Sequence, residues 1–224
     1  VGTGRSGSSL LANILAHSTA DFAMPLSKTW DPVKGDHEHP FTHKAYALLH
    51  KLEIIESSLI PTFIFRNLYR KNFYATLSAL RTIPYIKSSK LVYLIPHLAT
   101  KDHSPKLIVA FRSFSDYAKS RHKKYGWDMK RLEDEYINAY STALLELGIW
   151  GGVVIDFDDL LDPEETEWAD SLQQLCGLNQ DTLLQKRNDL VKKDVTNEAT
   201  IILPENERVV AIENKLREIK NLVQ

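Results

Sequence analysis

The 224-residue sequence predicts a single α/β domain over residues 1–224, built in three layers with a central parallel sheet flanked by helices. Three observations carry this expectation. Two short apolar runs rich in β-branched residues, KLIVAF at 106–111 and GGVVIDF at 151–157, read as buried strands. Helical patterns lie between and around them, the order expected of parallel strands joined by crossover helices. A glycine-serine loop, VGTGRSGSSL at 1–10, leads directly into an apolar helical run.

In chain order, residues 8–17 place Leu10, Leu11, Ile14 and Leu15 on one helical face. Residues 18–40 hold three of the prolines, at 25, 32 and 40, and several charges, and read as a long functional loop. Residues 42–58 and 61–81 turn helical, the second stretch rich in Arg, Lys and aromatics. A short strand is expected at 83–87, before the apolar run LVYLIPHL. After the strand at 106–111 come Arg112 and a helical stretch, then a helix over 128–147 and the strand at 151–157. Asp162-Pro163-Glu164-Glu165 is expected to open the next helix, with early acids suiting its dipole. In that helix Trp168, Leu172, Leu175 and Leu178 read as core, and Cys176 as buried and inert. A charged amphipathic helix is expected over 205–223.

Bulk properties narrow the function. Twenty-eight basic against twenty-nine acidic residues leave a formal charge of −1, which excludes bulk electrostatic binding of nucleic acid. The single Cys176 rules out an internal disulfide framework and points to a reducing, cytoplasmic setting. No apolar run has the length of a membrane segment. Phosphate loops normally follow a buried strand, so the first strand is expected to be truncated before residue 1, which leaves an N-terminal targeting segment open.

Gly2-x-x-x-x-Gly7-Ser8-Ser9 has the spacing of the phosphate loop G-x-x-x-x-G-K-[ST], making the expected fold P-loop NTPase-like. The glycines let backbone N–H groups curl inward, and the following helix adds its positive end. Ser8 stands where that motif has lysine, and Arg5 lies inside the loop. A transferable γ-phosphate is served by Lys and Mg²⁺ together. A sulfuryl group carries one formal charge less, needs fewer cations, and requires no metal.

GTGRSGSSLLANIL resembles the 5′-phosphosulfate loop of the sulfotransferase superfamily, in the bacterial and tyrosylprotein-type branches that read R-S-G-[TS]-[ST]-L-[LM]. The resemblance implies 3′-phosphoadenosine 5′-phosphosulfate (PAPS) as co-substrate, held at Gly4, Arg5, Ser6, Gly7, Ser8 and Ser9. The family's second motif is an Arg at a strand end with a Ser eight residues on, both gripping the 3′-phosphate. Here Arg112 and Ser120 stand eight apart after KLIVAF. An arginine there pairs bidentately with phosphate, and a hydroxyl two turns into a helix adds a further bond. GGVVIDFDDLLDPEE resembles the family's later strand with its Asp-Asp-Leu. Asp156 or Asp158 read instead as a magnesium-holding acid keeps a nucleotide or small-molecule kinase as the alternative.

Transfer to a hydroxyl needs a base on the acceptor and a donor to the bridging oxygen. Arg5 fits the donor role. The segment from Asp31 to His39 resembles the bacterial pattern Asn-Pro-x-Gly-[YF]-x-E, which points to Glu38 as base, with His37 and His39 as rivals because another branch uses histidine. Lys87 resembles the lysine of a Lys-Asp-Pro-Arg stretch and is read either as a contact to the sulfuryl group or acceptor, or as an exposed lysine. The expected partner is a hydroxyl-bearing acceptor: a carbohydrate, a small molecule or a tyrosyl residue. A non-catalytic nucleotide-binding module is the third reading.

Overall fold

Leu107–Phe111 (β1) and Gly152–Asp156 (β2) pair in parallel, from Leu107 opposite Gly152 to Phe111 opposite Asp156. Both are near-continuous apolar runs because both faces of the pair are covered by helices. Val153, Val154, Ile155 and Phe111 are fully buried. The computed structural model describes residues 3, 7–18, 20, 22, 39–57, 63–191 and 206–223. Among them the chain is mixed α/β and mostly helical, and its sheet has these two strands.

The helices are α1 (Ser8–His17), α2 (Pro40–Ser57), α3 (Phe63–Leu80), α4 (Leu91–Leu98), α5 (Phe114–Tyr125) and α6 (Met129–Trp150). After β2 come α7 (Phe157–Leu161), α8 (Glu167–Cys176), α9 (Gln180–Leu190) and α10 (Glu207–Glu218). Side-chain caps start several of them: Ser113 accepts from Asp116 N–H, Asp128 from Arg131 N–H, Asn179 from Thr182 N–H and Asn206 from Arg208 N–H.

The two sheet faces are covered differently. Val109, Phe111 and Val154 pack with α4, α5, α6 and α10, where Tyr117, Tyr136 and Tyr140 form a run of tilted and edge-on rings. Ala110, Val153 and Ile155 pack with α1, α8 and α9 around the buried Trp168. A third cluster joins α2, α3 and α4. The hydroxyl of Tyr140 donates to Ala110 O at 2.9 Å, and that of Tyr136 to Arg112 O at 2.9 Å. On the far side of β2, Asn221 N–H donates to Val154 O at 2.9 Å, and Ser171 Oγ ties down the Asn221 carbonyl at 2.6 Å. The C-terminal residues thus close the outer edge of β2.

Three expectations change. The wider central sheet is not seen among the described residues. Among the described residues, 83–87 form no strand beyond a single bridge position at Lys87, since Ile83 N–H closes a turn onto Leu80 O and Pro84 has no N–H to donate. Asp162-Pro163 opens no helix. Asp162 instead accepts from Glu164 N–H at 2.9 Å in a local turn, and the buried Arg187 donates to the carbonyls of Asp162 and Pro163. Helix α8 restarts after Thr166. Most of the 18–40 loop lies outside the described residues.

Gly152 admits no side chain. Its φ is +146°, and a Cβ there would stand 2.0 Å from the carbonyl oxygen of Leu107 on the paired strand. Gly152→Ala is expected to destabilise the fold by at least ~2 kcal/mol in urea titrations. Gly148→Ala, on α6 with open space around it, should shift stability by no more than ~1 kcal/mol, toward the folded state.

Candidate functional site

The site lies at the carboxyl ends of β1 and β2, where ligands of parallel sheets bind. Gly7 caps α1 with φ +83°, a left-handed conformation, and its backbone lies against Phe157, the first residue of α7. A Cβ on Gly7 would meet Phe157 Cδ2 at 2.0 Å, so only glycine brings the loop this close. The Phe157 ring in turn carries the guanidinium of Arg112, whose Cζ is 4.7 Å from the ring centroid. One aromatic ring therefore joins the start of α1 to the end of β1.

Ser8 and Ser9 occupy the first turn of α1. Lys87 donates from Nζ to Ser9 Oγ at 3.2 Å, and Lys87 is only 8% exposed. An ammonium so buried is not a solvated surface lysine. It adds a cation to the positive end of the helix from 78 residues away in sequence. Asn13 Nδ2 donates to Ser9 O at 2.8 Å and holds that turn. Thr3 is buried with Oγ1 3.4 Å from the Tyr140 hydroxyl.

Arg112 follows β1 directly, and Ser120 stands half-buried on α5. Around Arg112 the structure gathers carboxylates. Asp158 is pushed up by burial and then by Asp116, while Arg112 and Arg217 pull it back. Asp156 caps α7 through its Oδ1 to Asp158 N–H at 3.1 Å, and burial raises it to about 6. Asp159 pairs with Lys220 at 2.9 Å. Glu213 on α10 accepts from Phe114 N–H and, at 3.3 Å, from the Tyr136 hydroxyl.

His39 is placed otherwise. Its Nδ1 accepts from Phe41 N–H at 3.1 Å, its carbonyl from Thr42 Oγ1 at 2.6 Å, and burial lowers its pKa. These are the contacts of an imidazole fixed at the start of α2. Gly4, Arg5, Ser6, His37 and Glu38 lie outside the described residues. Gly7, Ser8, Ser9 and Lys87 come together, and Arg112 joins them through Phe157.

Sequence reasoning missed Phe157, Glu213, Arg217 and Lys220. A lone aromatic after a strand reads as core, and the amphipathic pattern of α10 reveals only that one face is buried. Cys176 is half-buried, hydrogen-bonded to Tyr85, with burial raising its thiol. It lines a cavity of about 470 Å³ that runs from Ser8 and Lys87 down to Lys106 and Leu107.

Among the described residues no three His, Cys, Asp or Glu side chains are arranged to hold a metal ion, and no helix is long and apolar enough to cross a membrane. No protein-family model, curated protein or solved structure matches the chain.

The Asp156 carboxyl makes stability pH-dependent in a definite direction. Its folded value of about 6 exceeds the ordinary 3.8, so between these the folded chain holds more protons than the unfolded one. This group's contribution to stability therefore falls as pH rises from about 4 to about 6. Asp156→Asn keeps an acceptor for the Asp158 N–H and loses the charge. Its melting temperature is expected to gain on that of the unmodified protein across this window, as read by thermal scans at stepped pH.

Proposed function

We propose that the protein is a sulfotransferase of a P-loop-like α/β fold, moving a sulfuryl group from PAPS to a hydroxyl acceptor. The observation that carries this reading is the pair of cationic positions joined by Phe157: Lys87 at the start of α1, 3.2 Å from Ser9, and Arg112 at the end of β1. Two anion positions at the carboxyl ends of one parallel sheet suit a donor with a phosphosulfate at one end and a 3′-phosphate at the other. The first is built of Gly7, Ser8, Ser9 and Lys87, with Gly4, Arg5 and Ser6 completing the loop. The second is built of Arg112 and Ser120.

The residues present fit that donor. Gly7 leaves the backbone of the loop bare, so N–H groups meet the oxyanions directly. Lys87 supplies the charge that position 8 lacks. In the reaction the acceptor oxygen attacks sulfur in line, the S–O bond to the nucleotide phosphate breaks, and the acceptor proton passes to a base. Adenosine 3′,5′-bisphosphate leaves, with Arg5 and Lys87 stabilising the charge on the bridging oxygen.

The base is Glu38 or His37. With Nδ1 of His39 accepting from Phe41, the neutral ring carries its proton on Nε2 and keeps no lone pair for the acceptor.

Thermal-shift titration tests the reading. Adenosine 3′,5′-bisphosphate is expected to stabilise the chain more than Mg-ATP does, and the reverse order favours the kinase, with Asp156 or Asp158 as metal-holding acid. Arg112→Ala and Lys87→Met should each weaken bisphosphate or PAPS binding by roughly 10–100-fold. Glu38→Gln should leave binding intact and remove turnover, whereas the same loss in His37→Gln alone assigns the base to His37. Binding without turnover in the unmodified protein would favour the non-catalytic module.

A further inference from the structure

A second cavity, of about 330 Å³, opens past the carboxyl end of β1 and is lined by Thr3, Lys90, Trp127, Arg131, Asp134 and Glu135 among others. Its place follows from how α6 runs. Tyr136 bonds Arg112 O, Tyr140 bonds Ala110 O, and at the far end Lys106 Nζ reaches Trp150 O at 3.0 Å. Helix α6 is thus antiparallel to β1, and its first turns, with the preceding Trp127, project past the carboxyl end of the strand. Two stretches of chain link this cleft to the anion site. Thr3 lines the cleft a few residues before Gly7 in the chain, and Lys87 and Lys90 lie on one short segment, the first at Ser9 and the second in the cleft.

The chemistry of the lining is specific. Arg131 lies over Trp127 with Cζ 3.9 Å from the ring centroid, and Arg121 approaches the same ring at 4.7 Å while paired with Glu135 at 2.6 Å. Lys90 Nζ sits 4.9 Å from the Tyr46 centroid, whose ring meets Tyr93 at 5.6 Å. The rings fix where the cationic heads stand. Among the described residues the side chains of Lys90, Arg131 and Asp134 carry no hydrogen bond, so an ammonium, a guanidinium and a carboxylate face the cleft with donors and acceptors to spare. Asp134 and Glu135 stand against Lys90 and Arg131, and this balanced lining on an aromatic frame suits a ligand that offers many hydroxyls and little charge. The 470 Å³ cavity is the contrasting case: it starts at Ser8 and Lys87, is mostly apolar, and extends toward the amino end of β1.

We propose that this cleft is the acceptor subsite and that the acceptor is a saccharide, its hydroxyls bonded by Lys90, Arg131 and Asp134 beside Thr3. The proposal rests on the sulfotransferase reading for its chemistry, while the cleft's ligand class stands on the lining alone.

Saturation-transfer NMR on the full chain tests it, in the presence of adenosine 3′,5′-bisphosphate. The probes are a panel of neutral di- and trisaccharides, with 1-decanol and 4-nitrophenol as apolar alcohols. At least one saccharide is expected to bind, and Asp134→Asn and Arg131→Ala should each weaken it five-fold or more while leaving bisphosphate affinity unchanged. Asp134 and Arg131 are exposed, so neither substitution threatens the fold. Failure of every saccharide to bind, or binding insensitive to both substitutions, overturns the proposal even where PAPS turnover onto an alcohol is observed. Saccharide binding lost in both variants, with no sulfuryl transfer to any probe, supports the cleft and overturns the donor reading instead.

Discussion

The ring of Phe157 touches the backbone of Gly7 and the guanidinium of Arg112, and through it three distant parts of the chain share one geometry. Its position is set by β2, whose last residue, Asp156, caps the short helix that Phe157 begins. The bare backbone of Gly7 accepts the ring at a distance no other residue permits. A cation over an aromatic face contributes ~0.5–2 kcal/mol, more where water is excluded, and here it also orients the guanidinium. Removing that ring would release the start of α1 and the Arg112 guanidinium from their shared contact.

The same economy of long-range contacts closes the sheet. A two-stranded parallel pair has few hydrogen bonds of its own, and its carbonyls need partners on the outer sides as well. Tyr140 supplies one to Ala110, Tyr136 supplies one to Arg112, and Asn221 supplies one to Val154. Each is a contact between segments far apart in sequence. Tyr136 is further held by Glu213, and burial drives its hydroxyl far above the ordinary range, so it remains a donor at any working pH. The C-terminal helix, which shows only an amphipathic pattern in the sequence, thereby steadies the strand end that presents Arg112.

What was legible in the sequence was the local part. Val, Ile and Phe in short runs are buried on both sides because helices cover both faces, and the strands at 107–111 and 152–156 follow from that pattern alone. The helix after the glycine loop follows from Leu11, Ile14 and Leu15 on one face. What was not legible depended on a partner elsewhere. Asp162-Pro163 has the composition of a helix start, yet Arg187, brought in by α9, binds its carbonyls and keeps them in a turn. His39 has the composition of a base, and its engagement with Phe41 N–H is visible only once the start of α2 is built. Phe157 carries no mark that separates it from an ordinary core aromatic.

Lys87 is the instructive intermediate. The sequence offered it as a contact to the transferring group or as a surface lysine, and nothing local decides between them. Burial rules out the surface lysine: the side chain is enclosed, and its Nζ donates to Ser9 Oγ in the first turn of α1, beside the positive end of that helix. In a phosphate loop with lysine at position 8 the cation arrives with the helix itself. Here a cation reaches the helix start only when the segment from 84 to 90 folds against α1.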